Sequence, residues 1–549
     1  MKAMKLGWFL TAVSCLILVS GCNSGKGKSD RANGENTKIG QEFSVVVKQE
    51  IPSIDASVTN DVVGWGVLKN TGEGLFRADK DGKLVPAGAK ENPQVSEDGL
   101  TYTFKLREDA VWSNGDPVVA ADYVYGWQRT VEPKTASEVA YLFESIKNYP
   151  AIMDGQLPAD QLGVKALSDY ELEVTLASPV PYLDALLSLP PFFPQNEKII
   201  TESGDKYASS SEHMVYNGPF VLSDFDGAGT DTNWTYLKNE TYWDQENVTM
   251  DKINVDVVKE DATALNLFQD GQTDDIVITG ELAQQMADDP AFYSQEMSNT
   301  TYVEFNQSKK EFQNENLRKA ISYALDRETL VKQVLGDGSI AATGLVPKNM
   351  SFNPDTNADF VKDSGNHLKY NPEQAQEYWD KAKSELGADS LKINLLSSDA
   401  DSAKKVVEYM QGAIQETLKG ITVEVSSVPL SVRLDRGNQG DFDLILVGWG
   451  AEYNDPSVFL ELFTSDNINN SGKYANKDFD AAMKASATTN AGNPEVRWDD
   501  LLEAETIIMN TMGVAPIYQK AEAHLRNPNV KGILPSGPEY DFKWSFIEE

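Results

Sequence analysis

Between Leu391 and Trp449 the chain reads as an apolar extended run (KINLL), an amphipathic helix (Ser402 to Leu418), a second run (ITVEV), a linker and a third run (FDLILVGW). Two strands joined through a helix pair in parallel, because only a long crossover brings the chain back to the same end of a sheet. In open sheets of this kind ligands settle outside the carboxyl ends of the strands. The segment that leaves the third run, GWGAEYNDP from Gly448 to Pro456, is therefore the expected binding edge.

Alternation of apolar residues predicts further strands around Leu100, Tyr102, Phe104 and Leu106, around Leu172, Val174 and Leu176, and around Ile253, Val255 and Val257. Helical spacing is clearest from Leu317 to Leu335, where Leu317, Ile321, Ala324 and Leu325 share one face. No repeat of solenoid period is visible. The body beyond the N-terminal segment, about 510 residues, exceeds what one core supports, so two or three lobes are expected.

The N-terminus carries an address. Lys2 and Lys5 precede an apolar run from Leu6 to Val19 that is too short to anchor across a bilayer, as in a secretion signal. The run closes on Val19, Ser20, Gly21 and Cys22, and small residues before a cysteine suit lipoprotein processing. Residues 1–21 are expected to be removed, leaving Cys22 first and acylated on sulfur, with 22–38 as a Gly/Ser/Asn/Lys-rich tether reaching roughly 20 Å from the membrane.

Composition then excludes several classes of chemistry. The other cysteine, Cys15, lies in the discarded signal, so disulfides and thiol catalysis are not expected. His213, His367 and His524 are isolated, which argues against a metal site. A net charge of −36, becoming more negative once Lys2 and Lys5 leave, makes nucleic acid a poor partner. No GxSxG, HExxH, Walker loop or GxGxxG follows a strand. The GWG at Gly64 and the GEG at Gly72 read as turns or close backbone contacts, and DKDGK (Asp79 to Lys83) reads as a hairpin turn rather than a calcium loop. The paired carboxylates Asp274 and Asp275 say little in so acidic a chain. Ten Trp and 21 Tyr in polar contexts suit pockets that accept varied guests.

The stretch VSEDGLTYTFKLREDAVWSNGDPVVAADYVYGWQRTVEP, ending at Pro133, resembles the signature region of the family 5 solute-binding proteins, the oligopeptide-binding (OppA-like) group. VYNGPFVLSDF at Val215, TYVEFNQ at Thr301, LRKAISYALDRETLV at Leu317 and GWGAEYNDP at Gly448 agree with it in order, so the likeness spans nearly the whole body. It is nearest to the Gram-positive lipoproteins of the group. The resemblance implies an α/β fold with mixed α+β lobes: a two-lobed periplasmic-binding-protein-like clamp of type II, cluster C, with an extra inserted domain. Domain I would comprise 39–74, 214–306 and 512–549, the inserted domain II 75–213, and domain III 307–511.

In this family a peptide lies extended between the lobes and pairs through its backbone with strand-like segments on both sides. Carried onto this chain, Gly448, Trp449, Gly450 and Ala451 supply backbone partners from domain III, with Trp449 also walling a side-chain pocket, and Tyr453 and Asn454 stand beside them. Thr59, Asn60, Asp61 and Val62 supply partners from domain I, and Tyr125 approaches from domain II. Glu452 stands where the family carries Asp and is expected to meet the peptide's α-ammonium, a buried charge that needs a partner. Leu430 replaces an aromatic wall residue of some relatives, and Arg433 and Arg436 are candidates for a peptide carboxylate.

The function implied is reversible capture of oligopeptides for the permease of an ABC importer, by a monomer lipid-anchored on the extracellular face of the membrane, with no catalytic residue, metal or cofactor. Alternatives on the same fold are a receptor for one peptide pheromone, or a binder of a dipeptide, a sugar or nickel. An envelope hydrolase or chaperone is the different-class alternative, and the missing nucleophile and base weigh against hydrolysis.

Overall fold

The computed structural model describes residues 41–451, 453–536 and 539–548. Cys22, the leader (1–21), the tether (22–38) and Glu452 lie outside the described residues. One sheet of eleven strands runs through the body. Its members include β1 (Glu42–Val47), β2 (Phe220–Ser223), β3 (Asn233–Lys238), β4 (Lys252–Val257), β5 (Asp275–Ile278), β6 (Phe292–Phe305), β7 (Leu391–Ser398), β8 (Ile421–Val428), β9 (Leu444–Gly450) and β10 (Val514–Arg526). Their spatial order is β8-β7-β9-β6-β10-β5-β1-β4-β3-β2, with Ile340–Ala341 added beside β10.

The helices nearest in sequence to the expected binding segments, or crossing between their strands, are α1 (Val62–Thr71), α2 (Asp401–Thr417) and α3 (Leu430–Asn438). The predicted strand-helix-strand unit forms as read. β7 pairs in parallel with β8 from Leu391/Ile421 to Ser398/Val428, and α2 crosses between them, burying Val406, Val407, Met410 and Ile414 on one face. Gly420 turns the chain into β8 at φ 100°, and a Cβ there would come within 2.6 Å of the Asp389 carbonyl oxygen, so only glycine fits without strain.

Parallel pairing recurs at the other end of the sheet, where β1 runs parallel to both β4 and β5. Between the two parallel ends lie the long antiparallel strands β6 and β10. Their ladder is broken: pairing stops at Glu296/Ala521, resumes at Thr300/Gln519 and shifts again after Thr301. Met297 to Asn299 therefore lie opposite no partner on β10, and such a bulge bends a strand. Gln519, buried, bridges this gap by donating its side-chain amide to the carbonyls of Met297 and Lys348, each at 3.0 Å.

Apolar packing gathers in distinct cores. One collects Phe305, Trp379, Leu395 and Ile414 under β6, β7 and α2. A second lies within residues 75–192 and centres on Trp127, whose indole donates to the Phe192 carbonyl at 2.9 Å and meets Phe143 and Phe192 edge-on. The strands predicted around Tyr102 and Val174 pair antiparallel there, with Phe104 and Leu172 turned inward. A third core joins Phe43, Trp234, Tyr242 and Phe542. DKDGK turns a hairpin between Phe76–Ala78 and Leu84–Pro86, as expected. The helix expected from Leu317 to Leu335 is instead broken near Leu325, because Asp326 caps a new start by accepting from the Thr329 N–H at 3.1 Å. Among the described residues no helix is long and apolar enough to cross a membrane.

Candidate functional site

β9 offers a candidate site because its two neighbours part company. β7 pairs with it only at Leu444 and Ile445, whereas β6 stays paired through Gly450. From Leu446 onward one edge of β9 thus leaves the β7 ladder. Backbone groups of successive strand residues point to alternate sides. The Ala451 N–H donates to the Ser298 carbonyl on the β6 side at 2.7 Å, and the Leu446 carbonyl accepts from Arg433 on the far side at 3.0 Å. By that alternation Gly448 and Gly450 aim their N–H and C=O groups at the open edge, and both residues are exposed.

Trp449 faces the other way. Its ring is half-buried against the first core, opposite Thr300 in the ladder. Trp449 Nε1 and Thr300 Oγ1 are both buried and make no hydrogen bond among the described residues.

The segment expected to face this edge does so, but not as a strand. Thr59 is buried, its N–H and hydroxyl both donate to the Asp55 carbonyl (2.9 and 2.8 Å), and its own carbonyl accepts from the Trp65 indole at 2.7 Å. Thr59 is therefore turned into the protein with its N–H engaged and does not line the cavity shared by this segment and the β9 edge, which corrects the expectation. Asp61 caps α1, accepting from the Gly64 N–H at 2.8 Å, and burial pushes its carboxyl above the ordinary range. Val62 is the first helical residue and is exposed. Gly64 makes the close approach read from GWG: a Cβ would sit 2.4 Å from Thr59 Cγ2 and 2.6 Å from the Ser53 carbonyl oxygen.

A cavity of about 410 Å³ brings the two segments together, with Asn60, Asp61 and Val62 on one wall and Gly450 and Ala451 on another. Met297 to Asn299, which have no partner on β10, also line it, so the break in that ladder lies in its wall. Lys520, Glu138 and Tyr141 are among its other lining residues, and Asn60 donates to the Glu138 carboxylate. None of the lining residues outside the two motifs was legible as a site, since nothing local marks a residue as cavity-facing.

Four other expectations need correction. Tyr125 does not line this cavity; its neighbours are Arg129, Glu197 and Asp55. Leu430 stands exposed at the start of α3, not in the wall. Arg433 is buried and already given to the Leu446 carbonyl, its guanidinium lowered by burial, and Arg436 pairs with Asp441 at 2.8 Å, so neither waits for a carboxylate. Tyr453 and Asn454 line a different, smaller cavity of about 90 Å³ beside Arg77 and Asp541. There Tyr453 stacks on Tyr182, with ring centroids 4.4 Å apart, and burial pushes Tyr182 up to about 12. Among the described residues no cluster of His, Cys, Asp and Glu is placed to hold a metal ion.

The comparisons agree with one another. Residues 83–471 match the model for the middle region of bacterial extracellular solute-binding proteins, family 5. A dipeptide-binding protein of Lactococcus lactis subsp. cremoris is 35% identical over 532 residues, covering 94% of this chain and 96% of the relative. The structure of Listeria monocytogenes OppA bound to peptide superposes with a TM-score of 0.71 at 40% identity, covering 93% of this chain and 100% of that one. The pheromone receptor PrgZ gives 0.72 at 41%, with the same coverage.

Proposed function

The chain belongs to the bacterial extracellular solute-binding proteins of family 5, and on that premise we propose that it captures extended oligopeptides in the cavity between Gly450 and Asn60 and hands them to the permease of an ABC importer. The observation that carries this reading is the open edge of β9. Gly448 and Gly450 present main-chain donors and acceptors without side chains that would hold a guest backbone away. A strand laid along that edge gains hydrogen bonds that every peptide can make, so affinity comes without a sequence requirement. The bulge at Met297 to Asn299 is where the halves of the sheet bend as the cavity closes.

Glu452, next to Ala451 in sequence, meets the guest's α-ammonium in this reading, and the protein turns no substrate over. Acylation of Cys22 holds a monomer at the outer face of the membrane. Calorimetry with short peptides and their N-acetylated forms tests the capture step. Binding that weakens on acetylation supports the assignment, whereas equal affinity for both forms removes Glu452 from its role. The absence of any peptide binding would sink the reading as a whole.

The likeness to PrgZ favours one second reading, reception of a single signalling peptide. Mass spectrometry of peptides that co-purify with the protein separates the two: a mixture supports nutrient capture, one species supports signalling.

A further inference from the structure

A second cavity, of about 210 Å³, opens beneath α1. It lies between α1 and one face of this half of the sheet: Val45 and Val47 come from β1, Val255 from β4 and Val277 from β5. Val62 lines both this cavity and the one between Gly450 and Asn60, so the two meet at a single residue on the first turn of α1.

The chemistry of the walls is lopsided. Valines 47, 63, 255 and 277 and the rings of Trp234 and Phe542 supply apolar wall. Five ionisable groups also reach it, but they are spent on one another. Asp275 binds His524 Nδ1 at 2.6 Å and Arg526, and Glu522 accepts from the Tyr540 hydroxyl at 2.8 Å, which in turn contacts His524 Nε2 at 2.7 Å. At the mouth, Lys48 is paired with Asp261 at 2.6 Å. A charged guest group would find no free counter-charge and would lose its hydration. A small guest group would leave a void, which also costs free energy.

Resting on the peptide-binding reading above, we propose that this cavity is a side-chain subsite that takes one large apolar residue of the captured peptide, of the leucine, methionine or phenylalanine class. The main-chain edge of β9 then accepts peptides generally, and this subsite ranks them and sets their register. Both lobes contribute to the selection: the β9 half holds the backbone and the α1 half sorts one side chain.

The test uses the mature chain, an alanine hexapeptide, and scans of that peptide carrying one Leu, one Phe or one Glu at each position. By calorimetry the unmodified protein should favour Leu or Phe over Ala at one position by about tenfold or more, with Glu worst there. Two cavity-filling variants from opposite walls, Val277→Phe and Val63→Phe, should each cut that ratio to within about twofold, as fits a filled hole. Thermal melts establish which variants fold, and either one suffices. No preference in the unmodified protein, or a preference that survives filling, overturns the subsite while peptide capture stands. If the unmodified protein binds none of the peptides, peptide capture itself is overturned.

Discussion

Arg497 clasps Asp455 through two hydrogen bonds of 2.8 and 2.7 Å, both partners buried, and Asp455 also accepts from the Ser457 N–H at 3.0 Å. This pair pins the far end of the segment that begins as β9 and passes through Gly450. Removing Arg497 leaves a buried carboxylate with no cation, and breaking such a pair costs about 3–5 kcal/mol. Arg497→Ala should lower the denaturant midpoint by a corresponding amount without changing the slope, and should weaken peptide binding through the loosened segment. A midpoint shift under about 1 kcal/mol would show that the pair is not what holds it.

The open edge makes an unusual allowance for proline. Gly448 aims its N–H away from β6, so Gly448→Pro removes no ladder bond and should leave the melting temperature nearly unchanged. It removes one hydrogen bond to a guest backbone, about 1 kcal/mol, and crowds the edge, so affinity for all peptides should fall together by tenfold or so. Trp449→Pro, one residue on, deletes a ladder bond to β6 and should destabilise instead.

His524 gives a pH signature. Although burial opposes its charge, Asp275 and Glu522 raise its pKa to about 9, above the roughly 6.5 of an unfolded histidine. The contribution is therefore complete below about 6.5 and is lost as pH rises through 9, a total of about 3 kcal/mol. Glu304, pushed up to about 7 by burial, titrates mainly below this window. Stability should fall between pH 7.5 and 9.5, and that fall should flatten in His524→Asn; a variant with the same slope as the parent would contradict the assignment.

Cys22→Ser should convert the cell-associated protein into one released to the medium or left with an uncleaved leader. Detergent partitioning and intact-mass measurement would read the loss of acyl mass. Membrane association that persists unchanged would argue against acylation at Cys22.

Local chemistry was easy to read where the signal is periodic. The faces of β7, α2 and β8 follow from spacing alone, and the close approach at Gly64 follows from residue type. The inner side of the predicted strand at Phe104 was equally plain. Misreadings clustered where one side chain competes for another segment's backbone. The Trp65 indole takes the Thr59 carbonyl, Arg433 takes that of Leu446, and Asp326 restarts a helix that the spacing had continued. Each depends on a partner or a cap that hydrophobic period does not encode.

By itself the sequence determined the kind of elements and the parallel crossover unit, and it pointed to the strand end proposed as the site, because side-chain alternation and crossover length act within a few dozen residues. Only the tertiary structure decided which backbone groups on that strand stay unpaired. That depends on where β7 separates from β9 while β6 continues, a register set by contacts between segments from Asn299 to Gly450, far apart in the chain. The same holds for the cavity walls, where Val62 and Val277 meet only because α1 is packed over strands that the chain reaches two hundred residues later.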